Sequence, residues 1–176
     1  MLIFGPWAGS ALRADNASKQ EIQAAIIIKF IDFITWPEDS FESPAAPFTL
    51  GILGENYFEN LFDPFLGLQV QNRNFTVRYF TDIKDMGSPQ ILIVSASERK
   101  RAGEILDRLV GRPILTIGDF PDFSELGGLI TFYRKPNNRI GFEINLDTKQ
   151  KSGLKISAFF MKMGKIVRRE QKDDLP

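Results

Sequence analysis

The sequence predicts a single α/β domain built on a mixed, mostly parallel β-sheet flanked by helices, with a C-terminal β-hairpin and a terminal helix. Three observations carry this expectation. The continuous apolar runs QILIV at 90–94 and PILTI at 113–117 have the composition of strands buried on both faces, as in a parallel sheet. A helical pattern at 97–110 lies between them, so strand and helix alternate. Finally, the runs 129–133 and 140–144 bracket Lys135-Pro136-Asn137-Asn138, which is turn chemistry for an antiparallel hairpin. The 176 residues suit one domain with a substantial core.

The elements follow in order. Residues 19–36 (KQEIQAAIIIKFIDFITW) predict a helix that stops before Pro37. Its apolar arc covers about half the circumference, which implies burial on more than one side. Residues 38–47 contain Pro44 and Pro47 and form a loop, and FTLGIL at 48–53 is a strand. Gly54-Glu55-Asn56 turns into a helix around 57–62, broken by Asp63-Pro64. Strands at 68–70 and 75–80 surround a turn at 71–74, and 81–89 is a loop. Ser97 can cap the helix that follows QILIV, and Gly111 closes it. After PILTI, 119–126 is an acidic, aromatic turn before the hairpin. The last helix is expected from about 147 to 168. Ile156, Phe160, Met163 and Val167 form one apolar arc on it. Leu154, Ala158 and Met161 form a second arc, beyond a basic stripe of Lys155, Lys162 and Arg169. The first arc is the expected core face. The second is either a partner surface or covered by a neighbouring element.

Composition narrows the chemistry. There is no His and no Cys. That removes the commonest general base at neutral pH, the Ser-His and Cys-His nucleophiles, and ordinary zinc, haem or iron–sulfur ligation. No cofactor is expected, and no disulfide can form. Twenty-two basic and 22 acidic residues balance, so there is no footprint for nucleic acid. Sixteen Phe predict an aromatic-rich core.

Three groups invite a chemical reading. Gly51 to Gly54 before a helix resembles the opening of a phosphate loop, but the Lys-Ser/Thr pair is missing and Glu55 would repel phosphate, so a tight turn is expected. Asp119, Asp122 and Glu125 could offer oxygens to a divalent cation. Their spacing is not that of an EF-hand, and a solvated turn is the plainer reading. Glu143 points away from Phe142 and Ile144 across the strand, so it meets either solvent or a basic partner. A catalytic carboxylate would need a second one across a cleft. The expectation is a protein that is not an enzyme.

The N-terminus, MLIFGPWAGSALRA, runs apolar and small before turning polar. This predicts a signal-peptide remnant over 1–14, with Leu12 and Ala14 at the cleavage positions and the basic n-region missing. No other run approaches a spanning helix, so the protein is not expected to cross a membrane itself. The domain is expected over 15–168, followed by a polar tail at 169–176.

The segments IIIKFIDFITWPEDSF, FTLGILGEN, QILIVSASE, ILTIGDFPDFSELGGLITFYRKPNNRIGFEINLD and SGLKISAFFMKMGKIV occur in an order that resembles the YfiR-like family. The elements that carry the resemblance include Phe33 with Trp36-Pro37, Gly127-Gly128, Phe142-Glu143-Ile144-Asn145, and Gly153-Leu154 followed by Ile156-Ser157. The resemblance covers about residues 19 to 167. It implies a periplasmic, non-enzymatic regulator and a homodimer. Its partner would be the periplasmic domain of an inner-membrane diguanylate cyclase, and repression of that enzyme would restrain cyclic-di-GMP and biofilm. Family members often carry cysteines in disulfides; this chain has none, so redox control by that route is closed to it. The alternative is a periplasmic module that senses a small ligand, with aromatics and Gly-Gly near strand ends lining its pocket. For partner or dimer contact the expected residues are Trp36, Leu154, Ala158 and Met161, taken as exposed on the first and last helices.

Overall fold

The computed structural model describes residues 18–168. The expected signal remnant at 1–14 and the tail at 169–176 lie outside them. The architecture is α/β, with an eight-stranded mixed sheet between helices.

Helix α1 (Lys19–Phe30) starts from a reciprocal cap: Ser18 Oγ accepts from Glu21 N, and Glu21 accepts from Ser18 N. The helix ends six residues earlier than expected. Residues Ile31–Phe33 tighten into a 3₁₀ turn, and Ile34–Thr35 become a short strand, β1. Local chemistry favours the break: Trp36 before Pro37 is pushed to extended backbone, and β-branched Ile34 and Thr35 suit a strand.

Strand β2 (Phe48–Leu53) lies inside the parallel region, between β4 and β5. The helix expected at 57–62 is a series of turns; Glu59 has φ +50, outside the helical range. Strands β3 (Gln69–Val70) and β4 (Arg73–Phe80) form a hairpin whose two-residue turn, Gln71-Asn72, has positive φ at both positions. Gln71 Nε2 also donates to the carbonyls of Ile31 and Ile34, fixing the exit of α1. Strand β5 (Ile91–Val94) leads through a 3₁₀ segment into α2 (Ala102–Asp107), and β6 (Leu115–Gly118), β7 (Ile130–Arg134) and β8 (Ile140–Asn145) follow. Ser95, rather than Ser97, caps the segment after β5; Ser97 Oγ instead accepts from Glu55 N.

The expected long terminal helix is broken in three places. Asn145 caps α3 (Leu146–Lys151). Gly153, at φ +74, then turns the chain into β9 (Lys155–Ile156), which pairs antiparallel with β1. Helix α4 (Ala158–Met163) follows, capped by Ser157, and β10 (Lys165–Val167) is the last element among the described residues.

The large sheet has the order β10-β8-β7-β6-β5-β2-β4-β3. The strands from β4 across β2, β5, β6 to β7 are parallel, the β7–β8 hairpin and the β3–β4 hairpin are antiparallel, and β10 runs parallel to β8. Alternation along the strands divides the core in two. On one face Leu50, Ile52, Ile91, Ile93, Leu115, Ile117, Ile130 and Ile144 pack with Ile27 and Phe30 of α1 and Phe160 of α4. On the other, Leu53, Leu92 and Val94 pack with Ala102, Ile105 and Leu106 of α2 and with Phe120 and Phe123. The aromatic-rich core is therefore real: Phe30 meets Phe160 at 4.8 Å and Phe142 at 5.0 Å.

Phe123 explains two glycines. A Cβ on Gly118 would sit 2.6 Å from the Phe123 ring, and one on Gly128 closer still. Gly118→Ala should cost about 1–3 kcal/mol by overpacking, read as a lower denaturation midpoint. An unchanged midpoint would show that the ring has room to move.

Candidate functional site

The acidic turn after β6 is structural. Asp119 accepts from Lys19 Nζ at 2.7 Å and lies 3.5 Å from Gln23 Nε2, so it pins the first turn of α1 to the carboxyl end of β6. Burial, with the Asp119 charge nearby, raises the Tyr57 phenol far above its ordinary pKa and keeps it neutral. Asp122 pairs with Arg99 at 2.7 Å, and Phe120 and Phe123 are buried beneath the turn. Glu143 meets Lys165 at 2.8 Å and Ser124 Oγ at 3.4 Å, which decides its two open readings for the basic partner. The same contact raises the Lys165 pKa. Among the described residues no three metal-capable side chains converge.

Two clefts mark the described surface. One, of about 60 Å³, lies between α2 and α3 and is lined by Leu106, Leu109, Val110, Thr116, Thr148 and Lys151 among others. The other, of about 110 Å³, is bounded by Ser40, Ser88, Arg112 and Ile114. Both fall well short of the roughly 300 Å³ at which ligand pockets begin.

Of the four residues expected at the surface, two are buried, one is half-buried and one is exposed. Trp36 is only 4% exposed; its Nε1 donates to the Gln90 carbonyl at 2.9 Å, and its ring meets Phe48 edge-on at 4.9 Å. Leu154 is buried to the same degree in the same core. Neither is an exposed apolar residue. The correction has one physical cause: the long helices expected to carry them do not exist. β1 swings Trp36 inward, and Leu154 follows the Gly153 turn. Ala158 is exposed, and Met161 is half-buried against the main core.

Phe159, 61% exposed, is the feature that helical-wheel reasoning missed. Its ring leans on Phe33 at 5.6 Å, while the adjacent Phe160 is fully buried. The signal was the doublet itself: neighbouring helical residues point about 100° apart, so a short surface helix buries only one of the two. Met163, which the wheel placed on the core arc, is 44% exposed, and Ile166 on β10 is 42% exposed. Ile166 pairs in register with Ile144, so its side chain points to the α1–α4 side of the sheet. Ala158, Phe159, Met163 and Ile166 thus give this end of the molecule an apolar surface.

A second apolar group lies at the far edge, where Leu66, Leu68 and Tyr79 are each about half exposed. The backbone there is open. Phe75 turns its N–H and C=O outward to Leu68 and Gly67. Val77 and Tyr79 point the same way by alternation, but β3 has already ended.

Charge is also unevenly spread. From 148 to 168 there is no acidic residue, while Lys149, Lys151, Lys155, Lys162, Lys165 and Arg168 are all basic. Lys165 and Arg168 are paired back to Glu143 and Asp147. Among the described residues no helix is long and apolar enough to cross a membrane.

Comparison with known proteins agrees with this frame. No curated protein matches the chain. The YfiR/HmsC-like family model matches residues 20–165, from the second residue of α1 to the first of β10. On that match, and on the α/β architecture that carries it, the chain belongs to the YfiR/HmsC-like family.

Proposed function

We propose that the protein is a periplasmic, non-enzymatic repressor that acts by direct contact on an inner-membrane signalling partner, a diguanylate cyclase, and so restrains cyclic-di-GMP and biofilm. The family match over nearly the whole domain carries this reading. The surface supports it: polar clusters are used in internal ion pairs, the clefts are small, and apolar side chains stand out at both ends of the sheet. Of the expected contact residues, Ala158 and Met161 lie on α4, while Trp36 and Leu154 belong to the main core.

The expected homodimer is assigned to the open edge of β4, with Leu66, Leu68 and Tyr79 at its centre. Strand addition across a two-fold axis would satisfy the outward backbone groups of Val77 and Tyr79. Tyr79→Lys should then give a monomer in sedimentation velocity while leaving the thermal midpoint of the monomer close to wild type. A dimer that persists removes this edge as the interface.

The test of the function is cyclic-di-GMP in the native host. Deleting the gene should raise it, and restoring the gene should lower it again. An unchanged level on deletion would remove the repressor reading.

A further inference from the structure

The α4–β10 end combines two independent features. Three large apolar side chains, Phe159, Met163 and Ile166, stand 42–61% exposed on it. Phe159 and Met163 are four residues apart on α4, hence on one helical face. The chain around them is rich in basic residues: no acidic residue occurs between 148 and 168, Lys165 and Arg168 pair back to Glu143 and Asp147, and Lys155 and Lys162 make no ion pair among the described residues. Lys162 is three residues from Phe159 on α4. Lys155 sits on β9 opposite Thr35, two residues along from the Phe33 ring on which Phe159 leans.

What fits such a surface must be apolar at short depth and anionic around it. A protein groove would need shape to match, but Phe159, Met163 and Ile166 line neither of the clefts and project singly from the surface. A phospholipid bilayer asks for no shape. Its interface takes in aromatic and aliphatic tips to a few ångströms' depth, and anionic headgroups attract nearby lysines.

We propose that the α4–β10 end docks on an anionic phospholipid surface, with Phe159, Met163 and Ile166 at the acyl boundary and Lys155 and Lys162 against headgroup phosphates. This rests on the reading that the partner is a membrane protein. It adds that the repressor is held at the bilayer beside its partner, so that its search for the partner is confined to that surface. Neither feature alone carries the assignment: the apolar side chains state the depth, and the two lysines outside the ion pairs state the sign of the surface.

Vesicle co-sedimentation of the full chain tests it, with vesicles containing phosphatidylglycerol set against vesicles of phosphatidylcholine alone. Wild type should bind the phosphatidylglycerol vesicles at least about tenfold better, and less as salt rises. Phe159→Asp should lower that binding at least about tenfold, and so should the double variant Lys155→Glu with Lys162→Glu. Lys100→Glu, at an exposed lysine on the segment that leads into α2, should not lower it. Circular dichroism checks the fold of each, and if Phe159→Asp unfolds, the lysine variant decides. Absence of binding, equal binding to both vesicles, or α4 variants that bind like wild type would overturn the proposal. If the α4 variants lose only the partner in copurification and bind vesicles normally, the face is a protein contact and the lipid assignment fails. Repression measured in cells is a separate readout: a chain that ignores vesicles and still lowers cyclic-di-GMP keeps the regulator reading and loses this one.

Discussion

Trp36→Ala is expected to destabilise the domain by about 3–5 kcal/mol, the usual cost of truncating a buried aromatic residue. Trp36 fills the space beside Phe48 and is 4% exposed, so its removal leaves a cavity in the main core. It also frees the hydrogen bond from Nε1 to the Gln90 carbonyl. That carbonyl still accepts from Leu115 N, so the loss is dominated by packing. The Gln90 side chain is buried too, and ties β2 to the preceding loop through Thr49 N and the Ser40 carbonyl. Trp36 therefore sits over a junction, and its truncation should loosen the loop at 38–47 as well. Equilibrium urea denaturation reads the effect. Ala158→Asp is the paired control: its side chain is exposed, and the change should stay within about 0.5 kcal/mol. A stable Trp36→Ala that fails only in partner binding would return Trp36 to the surface and contradict the packing described here.

The second large effect is expected at Asn145. It is 1% exposed and uses both ends of its amide. Nδ2 donates to the Ser124 carbonyl at 2.7 Å, while Oδ1 accepts from Asp147 N and Thr148 N and so caps α3. Asn145→Leu keeps the branched shape but removes the cap and one of two hydrogen bonds to the Ser124 carbonyl, which still accepts from Gly127 N, for a loss on the order of 2 kcal/mol. Asn145→Asp keeps the cap acceptor but sets a buried carboxylate oxygen against the Ser124 carbonyl, so it should lose stability as well. Wild-type stability in the Leu variant would show that neither the cap nor the Ser124 bond contributes. Because β8 is the strand to which β10 pairs, this residue also positions the α4 end at one remove.

Much of the architecture was legible in the sequence. QILIV and PILTI are central parallel strands because only buried strands read as unbroken apolar runs, and the Lys135–Asn138 turn joins a true hairpin. The Phe142-Glu143-Ile144-Asn145 element also gains a physical account: two residues for the main core, one ion pair and one cap. What was not legible were the breaks within helical patterns. Apolar spacing at 31–36 and at 154–167 is compatible with a helix, and a wheel drawn through it is self-consistent. Long-range contacts decide otherwise: Gln71 captures the carbonyls of Ile31 and Ile34, and β1 pairs with β9, a partner more than a hundred residues away. Those pairings carry Trp36 and Leu154 inward. They also leave α4 as a short, six-residue helix that can bury Phe160 but not Phe159. Two of the four residues expected to be exposed, Trp36 and Leu154, are therefore buried. Sequence periodicity reports which residues can share a face, not whether the helix survives to present it.

The central claim is that this domain works by holding a membrane signalling protein through direct contact. The most direct measurement is crosslinking and copurification of the tagged full-length protein from native-host envelopes. The account predicts recovery of an inner-membrane protein with a periplasmic sensor and a cytoplasmic cyclase domain, and reduced recovery with Phe159→Asp. Recovery of the chain alone, from envelopes in which other membrane complexes stay intact, would contradict it.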